Sequence, residues 1–242
     1  ILSNAARAVA SMDRLLIILG EPLEDIATGA RPKIAGEVIF DNVAFQFEDA
    51  DKPVLQNINL KVKKGATVAV LGKTGAGKST LAYLLTRLYD PTSGRILIDG
   101  QDITDIARSH IRQNVATVLQ EPFLFSKSII SNIRIANPNA SEEEVYKAAR
   151  IADIHDNILS FKQGYETPVG EKGVTLSGGQ RQRLAIARTI INKAPILIFD
   201  DSLSAVDTET DINIRTALKK RSEETTTFII THRIATAKDA DL

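Results

Sequence analysis

Three glycines, at 72, 75 and 77, punctuate the run Gly72-Lys73-Thr74-Gly75-Ala76-Gly77-Lys78-Ser79-Thr80, which ends in a lysine and two hydroxyls. That composition suits an anion. Glycines let backbone N–H groups converge on a phosphate without side-chain clash, and the N-terminus of a following helix favours negative charge. Lys78 is then placed to reach the β- and γ-phosphates of a nucleotide, and the Ser79 hydroxyl to bind Mg²⁺. A second candidate is Ile196-Leu197-Ile198-Phe199-Asp200-Asp201, an apolar run ending in two carboxylates. Carboxylates at the C-terminal edge of a parallel strand lie where ligands bind in α/β sheets. Asp200 is therefore the expected Mg²⁺-linked acid, by direct contact or through water. An acidic turn on a buried strand is the plainer alternative.

These groups need a strand before the glycine loop and a helix after it. Ala66 to Leu71 and Lys78 to Leu88 have those patterns. Elsewhere, Glu37 to Phe47, Ile58 to Val62, Arg95 to Ile98, Val115 to Leu119 and Thr226 to Thr231 read as strands. Gly178 to Ile191 and Thr208 to Lys220 read as helices, and Ser141-Glu142-Glu143-Glu144 opens another with a capping box. Alternating strands and helices after residue 65 predict an α/β fold with a mainly parallel central sheet. The strand-rich part before it predicts a smaller antiparallel β-subdomain. Residues 1 to 20 have apolar side chains at helical spacing, and Glu21 to Gly36, with two prolines and two glycines, read as a linker.

The chain has 242 residues, 43% of them hydrophobic, so a sizeable core can form. Thirty basic residues balance thirty acidic ones, which gives no electrostatic case for a nucleic-acid partner. The absence of cysteine excludes disulfides and thiolate metal sites and fits a reducing compartment. No apolar run approaches the ~20 residues that span a bilayer. The chain begins with Ile1 and not Met, as a piece of a longer protein would.

Leu176-Ser177-Gly178-Gly179-Gln180 follows the phosphate loop at a spacing that resembles the ATP-binding-cassette (ABC) ATPases, over roughly residues 37 to 242. The resemblance implies a P-loop NTPase fold with a helical subdomain at about 121 to 178. ATP and Mg²⁺ are the implied ligands. It further implies a dimer, because in that family this signature caps the ATP of a facing domain. Ser177, Gly178, Gly179 and Gln180 would then serve the partner's nucleotide. Gly72, Lys73, Thr74, Gly75, Ala76, Gly77, Lys78, Ser79 and Thr80 would bind the chain's own. Gln120 resembles the Q-loop glutamine that touches Mg²⁺ and the attacking water, His232 the switch histidine, and Phe47 the aromatic that stacks on adenine. A strand core residue is the alternative for Phe47. Ser204 to Asp207 resembles the D-loop, though a plain helix cap is as compatible, and Gly170 to Gly173 resembles the X-loop of exporters.

One position departs from the family pattern. The residue after the Walker B aspartate is usually Glu, which polarises the attacking water; here it is Asp201. A misplacement of ~1 Å can cost ~10²-fold and general-base help is worth ~10²–10⁴. Asp201 therefore predicts slow hydrolysis at the chain's own site with ATP binding kept. A weak own base beside an intact signature implies one half of a heterodimeric exporter at the cytoplasmic face of a membrane. On that reading residues 1 to 36 are the end of the last membrane-domain helix and its linker, and the chain stops short of a further strand and helix. An amphipathic helix packed on the domain is the alternative for residues 1 to 20. Phe123, Leu124 and Phe125 would line a groove for the membrane domain, or pack in the core. Two other functions compete: a nucleotide-binding module with little catalysis, and a soluble ABC ATPase of repair or translation.

Overall fold

The computed structural model describes residues 2–170, 175–204, 206–220, 225–238 and 240–242. In chain order its elements are α1 (Leu2–Gly20), β1 (Val38–Phe45), β2 (Leu55–Val62), β3 (Thr67–Leu71), α2 (Lys78–Leu85), β4 (Ser93–Ile98), β5 (Gln101–Asp102) and α3 (Arg108–Asn114). There follow β6 (Val115–Val118), α4 (Ile129–Arg134), α5 (Glu142–Ile151), α6 (His155–Leu159), α7 (Gly178–Ile190), β7 (Ile196–Asp200), α8 (Thr208–Lys219), β8 (Thr226–Thr231) and α9 (Ile234–Ala237).

Two sheets organise the described residues. One is antiparallel in the order β2-β1-β4-β5, and the other is parallel in the order β3-β8-β7-β6. The expected parallel sheet is present, but β4 and β5, which follow the phosphate loop, return to the antiparallel sheet, pairing Val38 with Ile98 and Phe40 with Ile96. Sequence alternation suggests the element, and partner choice follows from burial. Ile96 and Ile98 point into the same apolar cluster as Val38 and Phe40. Strand alternation also sorts β7 between two cores. Ile196 and Ile198 face the cluster that contains β1 and α2, while Leu197 and Phe199 face the one built with α4, α5 and α7. All five residues of β7 and all six of β8 are buried, as strands covered on both faces should be.

Some boundaries differ from expectation. Helix α2 stops at Leu85, and Arg87 turns into the left-handed region at φ 50. The capping box at Ser141 and Glu144 is formed as expected. The helix cap that Ser204 to Asp207 also allowed is formed by Asp207, which caps α8 by accepting from the Thr210 N–H at 2.9 Å.

The prediction of a linker at Glu21 to Gly36 needs qualification, because the structure ties it down. Glu24 joins Arg108 and Arg112 on α3, the Ile26 and Ala30 carbonyls accept from the Ser109 and Ala107 N–H groups, and the Pro32 carbonyl meets His110. Asp99 closes the strap by accepting from the N–H groups of Ala35, Gly36 and Glu37. The described side chains of α1, at 9 and from 11 to 20, are exposed, so this part of the helix does not pack on the domain. Among the described residues, no helix is long and apolar enough to cross a membrane.

Hydrogen bonds from Arg112 and Arg108 hold the Glu24 carboxyl down at about 2, against 4.5 ordinarily. A depressed acid contributes stability above its unfolded value and loses it as pH falls through the folded one. Attachment of the strap is therefore expected to persist at neutral pH and weaken between about pH 4.5 and about 2. Amide exchange of Ile26 to Ala30 checks this, with Glu24→Gln reproducing the acidic behaviour at neutral pH.

Candidate nucleotide site

All four parallel strands end on the same side of their sheet. Beyond β3 comes the glycine loop, beyond β6 Leu119 and Gln120, β7 closes on Asp200, and beyond β8 comes His232. A cavity of about 380 Å³ opens there, lined by Phe47, Val54, Thr74, Gly75, Gly77, Lys78, Ser79, Thr80, Gln120, Asp200, Asp201, Ile230 and His232. Residues separated in sequence are thus gathered by strand register.

Internal hydrogen bonds shape the loop. Lys78 folds back and donates through Nζ to the carbonyls of Gly72 and Lys73, both at 2.9 Å. Gly77 precedes α2 at φ 81, and a Cβ there would stand 2.8 Å from Val54 Cγ1 and 3.0 Å from Leu55 Cδ2. Both conformation and space demand glycine. Gly77→Ala is expected to destabilise the fold by ~1–3 kcal/mol, read as a shift in urea midpoint. Gly72, Lys73 and Ala76 stand in the loop but outside the cavity lining.

Ser79 Oγ donates to Asp200 Oδ1 at 2.9 Å. Burial raises the Asp200 carboxyl above its ordinary range; the Ser79 hydroxyl and Lys78 oppose this, and the charge of Asp201 adds to it. Such a carboxylate is under-compensated, and a hard cation with oxygen preference fits the hydroxyl–carboxylate pair. Gln120 lines the same cavity.

Asp201 sits in the left-handed region at φ 46. Its N–H donates to the Ile230 carbonyl at 2.9 Å and its own carbonyl accepts from Ser204 Oγ at 2.6 Å. Its carboxylate oxygen lies 3.0 Å from His232 Nδ1. With the carboxylate ionised, Nδ1 carries the proton of this contact and Nε2 is the ring atom left for another partner. Phe47 lines the cavity and also packs edge-on against Phe45 (4.8 Å) and Tyr89 (5.3 Å), so its core contact and its place at the site coexist.

Leu176 to Gln180 contributes nothing to this lining among the described residues. Ser177 caps α7 in a reciprocal capping box. Its Oγ accepts from the Gln180 N–H at 3.2 Å and its N–H donates to Gln180 Oε1 at 2.9 Å. Gly178 meets nothing within 4 Å of a built Cβ. The motif presents an uncovered helix start. Of the remaining motifs, Ala205 of the D-loop and Glu171, Lys172 and Gly173 of the X-loop lie outside the described residues. Phe123 and Phe125 form an exposed edge-to-face pair, which sets aside core packing for both, while Leu124 packs partly against the core.

Three residues escaped the sequence reading. Arg233 donates to the carbonyls of Ser204, Val206 and Leu203, fastening the segment after Asp201. Gln182 and Arg188, on α7, hold the backbone on either side of Gln120. Their only signal was polarity within an apolar helix pattern, which does not say what a side chain bonds.

The family model described as ABC transporter matches residues 55–204. The Bacillus subtilis (strain 168) protein YgaD, whose assignment as a multidrug export ATP-binding/permease protein is itself provisional, is 46% identical over 242 residues, covering 99% of this chain and 42% of YgaD. A β-(1→2)glucan export ATP-binding/permease protein, NdvA of Brucella suis biovar 1 (strain 1330), is 47% identical over 209 residues, 86% of this chain and 35% of NdvA. The solved structure of a bacterial Atm1-family ABC exporter with ATP bound superposes with a TM-score of 0.88 at 39% identity, over 98% of this chain and 42% of that one. The chain belongs to the ABC transporter family. It has the P-loop NTPase fold of an ABC ATP-binding domain, a class of ATPases, and spans less than half the length of these relatives.

Proposed function

We propose that this chain is the ATP-binding domain of a fused ABC exporter, residues 37 to 242, joined through residues 1 to 36 to a membrane domain and working at the cytoplasmic face of the membrane. Two such domains close head to tail on ATP and reopen after hydrolysis, and the motion drives export of a small molecule, lipid or drug. The observation that supports this most is the division of the motifs. One cavity gathers the phosphate loop, Gln120, Asp200, Asp201 and His232, while the signature stands uncovered elsewhere.

In this reading the loop N–H groups and Lys78 bind the triphosphate and Phe47 stacks on adenine. Ser79, Asp200 and Gln120 would hold Mg²⁺, which would supply charge neutralisation on the triphosphate. Asp201 takes a proton from the attacking water, Gln120 orients that water, and His232 contacts the γ-phosphate. Ser177 and the N–H groups of Gly178 and Gly179 cap the partner's γ-phosphate. Asp201 is shorter than the family's glutamate and engaged by His232, so own-site turnover is slow and the partner is a different chain carrying Glu.

Small-angle scattering of the complete protein with ATP and Mg²⁺, alone and with its counterpart, tests the reading. A closed twofold pair is expected; its absence in both samples overturns it. A second reading, an ATP-holding module with little catalysis, is favoured by the same Asp201–His232 contact. Turnover in the reconstituted pair separates the two.

A further inference from the structure

The residues after β6 have left the sheet ladder, yet their backbone is held. Leu119 O accepts from Gln182 Nε2 at 3.1 Å, and Phe123 O accepts from an Arg188 guanidinium N–H at 2.8 Å. Gln182 is 1% exposed, so its donor is dedicated to that carbonyl. Asn132, fully buried, grips the next part, accepting from the Phe125 N–H at 2.9 Å and donating to the Phe125 carbonyl at 3.0 Å. Gln120, in the middle of the clamped stretch, lines the nucleotide cavity. Both clamping side chains stand on α7, a helix of 13 residues whose capping residue is Ser177.

We propose that Gln182 and Arg188 are positioning residues for Gln120, through which the helix carrying the signature motif sets the geometry of this chain's own nucleotide cavity. The proposal rests on the role given to Gln120 above. Its physical basis is that a short helix moves as a rigid body. A displacement of its start, where the partner's nucleotide would seat, is passed to the Leu119 and Phe123 carbonyls and so to the amide between them. Occupancy of the facing site is thereby felt in this one without any change in the phosphate loop.

The test uses the complete protein and four variants: Gln182→Met, which keeps the length but loses the donor, Arg188→Met, Arg188→Lys and Gln120→Ala. Amide exchange over residues 119 to 125 is expected to accelerate by about 10-fold in Gln182→Met and Arg188→Met, with Arg188→Lys restoring part of the protection. The Mg²⁺ concentration giving half-maximal ATP binding is expected to rise about 10-fold in both Met variants, while ATP binding in EDTA stays at the wild-type level. Combined with Gln120→Ala, neither Met substitution should shift Mg²⁺ dependence further. Additive shifts, an equal loss of binding in EDTA, or unchanged exchange would each overturn the inference. If Gln120→Ala shifts Mg²⁺ dependence and the Met variants do not, only this inference fails. If Gln120→Ala itself shifts nothing, the role of Gln120 falls and this inference with it. Should Gln182→Met not fold, the Arg188 pair carries the same test.

Discussion

Asp201→Glu is expected to raise ATP turnover at this chain's own site by about 10²-fold, with little change in KM for ATP. The residue's backbone is pinned from three directions: the Ile230 carbonyl holds its N–H, Ser204 Oγ holds its carbonyl, and φ is 46. The main chain therefore has little room to advance the shorter carboxylate toward the phosphate loop. The methylene that glutamate adds lengthens only the side chain, and leaves Lys78, Ser79 and Asp200 untouched. Steady-state kinetics of the complete protein check this, with scattering run alongside to show that the pair still closes. No gain in turnover from a variant that closes normally would mean that Asp201 does not limit the reaction.

Gly178→Asp is expected to abolish ATP-driven pairing and to lower turnover at the facing site by ~10²–10³, while thermal stability and ATP binding by the unpaired chain stay unchanged. A Cβ at 178 meets nothing within 4 Å among the described residues, and an acid in the first turn of a helix is favourable. Among the described residues nothing requires glycine there, in contrast to Gly77, where Val54 and Leu55 crowd the position. In the proposed dimer the requirement comes from outside: an incoming triphosphate would have to approach the backbone closely, and a carboxylate at the helix start would repel it. Retained pairing in the variant would remove the signature from the interface.

Some of this organisation could be read one residue at a time. Capping boxes at Ser141 and Ser177, the strand of β7 and the glycine loop depend on neighbours within a few positions, so local chemistry declares them. The path of β4 was harder, because an alternating strand after a P-loop helix fits either sheet until its partners are known. The strap from Glu24 to Gly36 has the composition of a linker, and only its contacts with Arg108, Arg112 and Asp99 make it a fixed attachment.

Residue types and spacing alone marked out the glycine loop, the acidic strand end, the Leu176 to Gln180 motif and the aspartate at 201, since each is a property of a few consecutive side chains. Tertiary structure decided which of them share a cavity. It set Asp201 against His232, left the start of α7 uncovered, and turned Gln182, Arg188 and Arg233 into fasteners of loops far from them in the chain. The reason is that a polar side chain's partner depends on the approach of elements whose register is set by burial over the whole sheet. No local pattern carries that information.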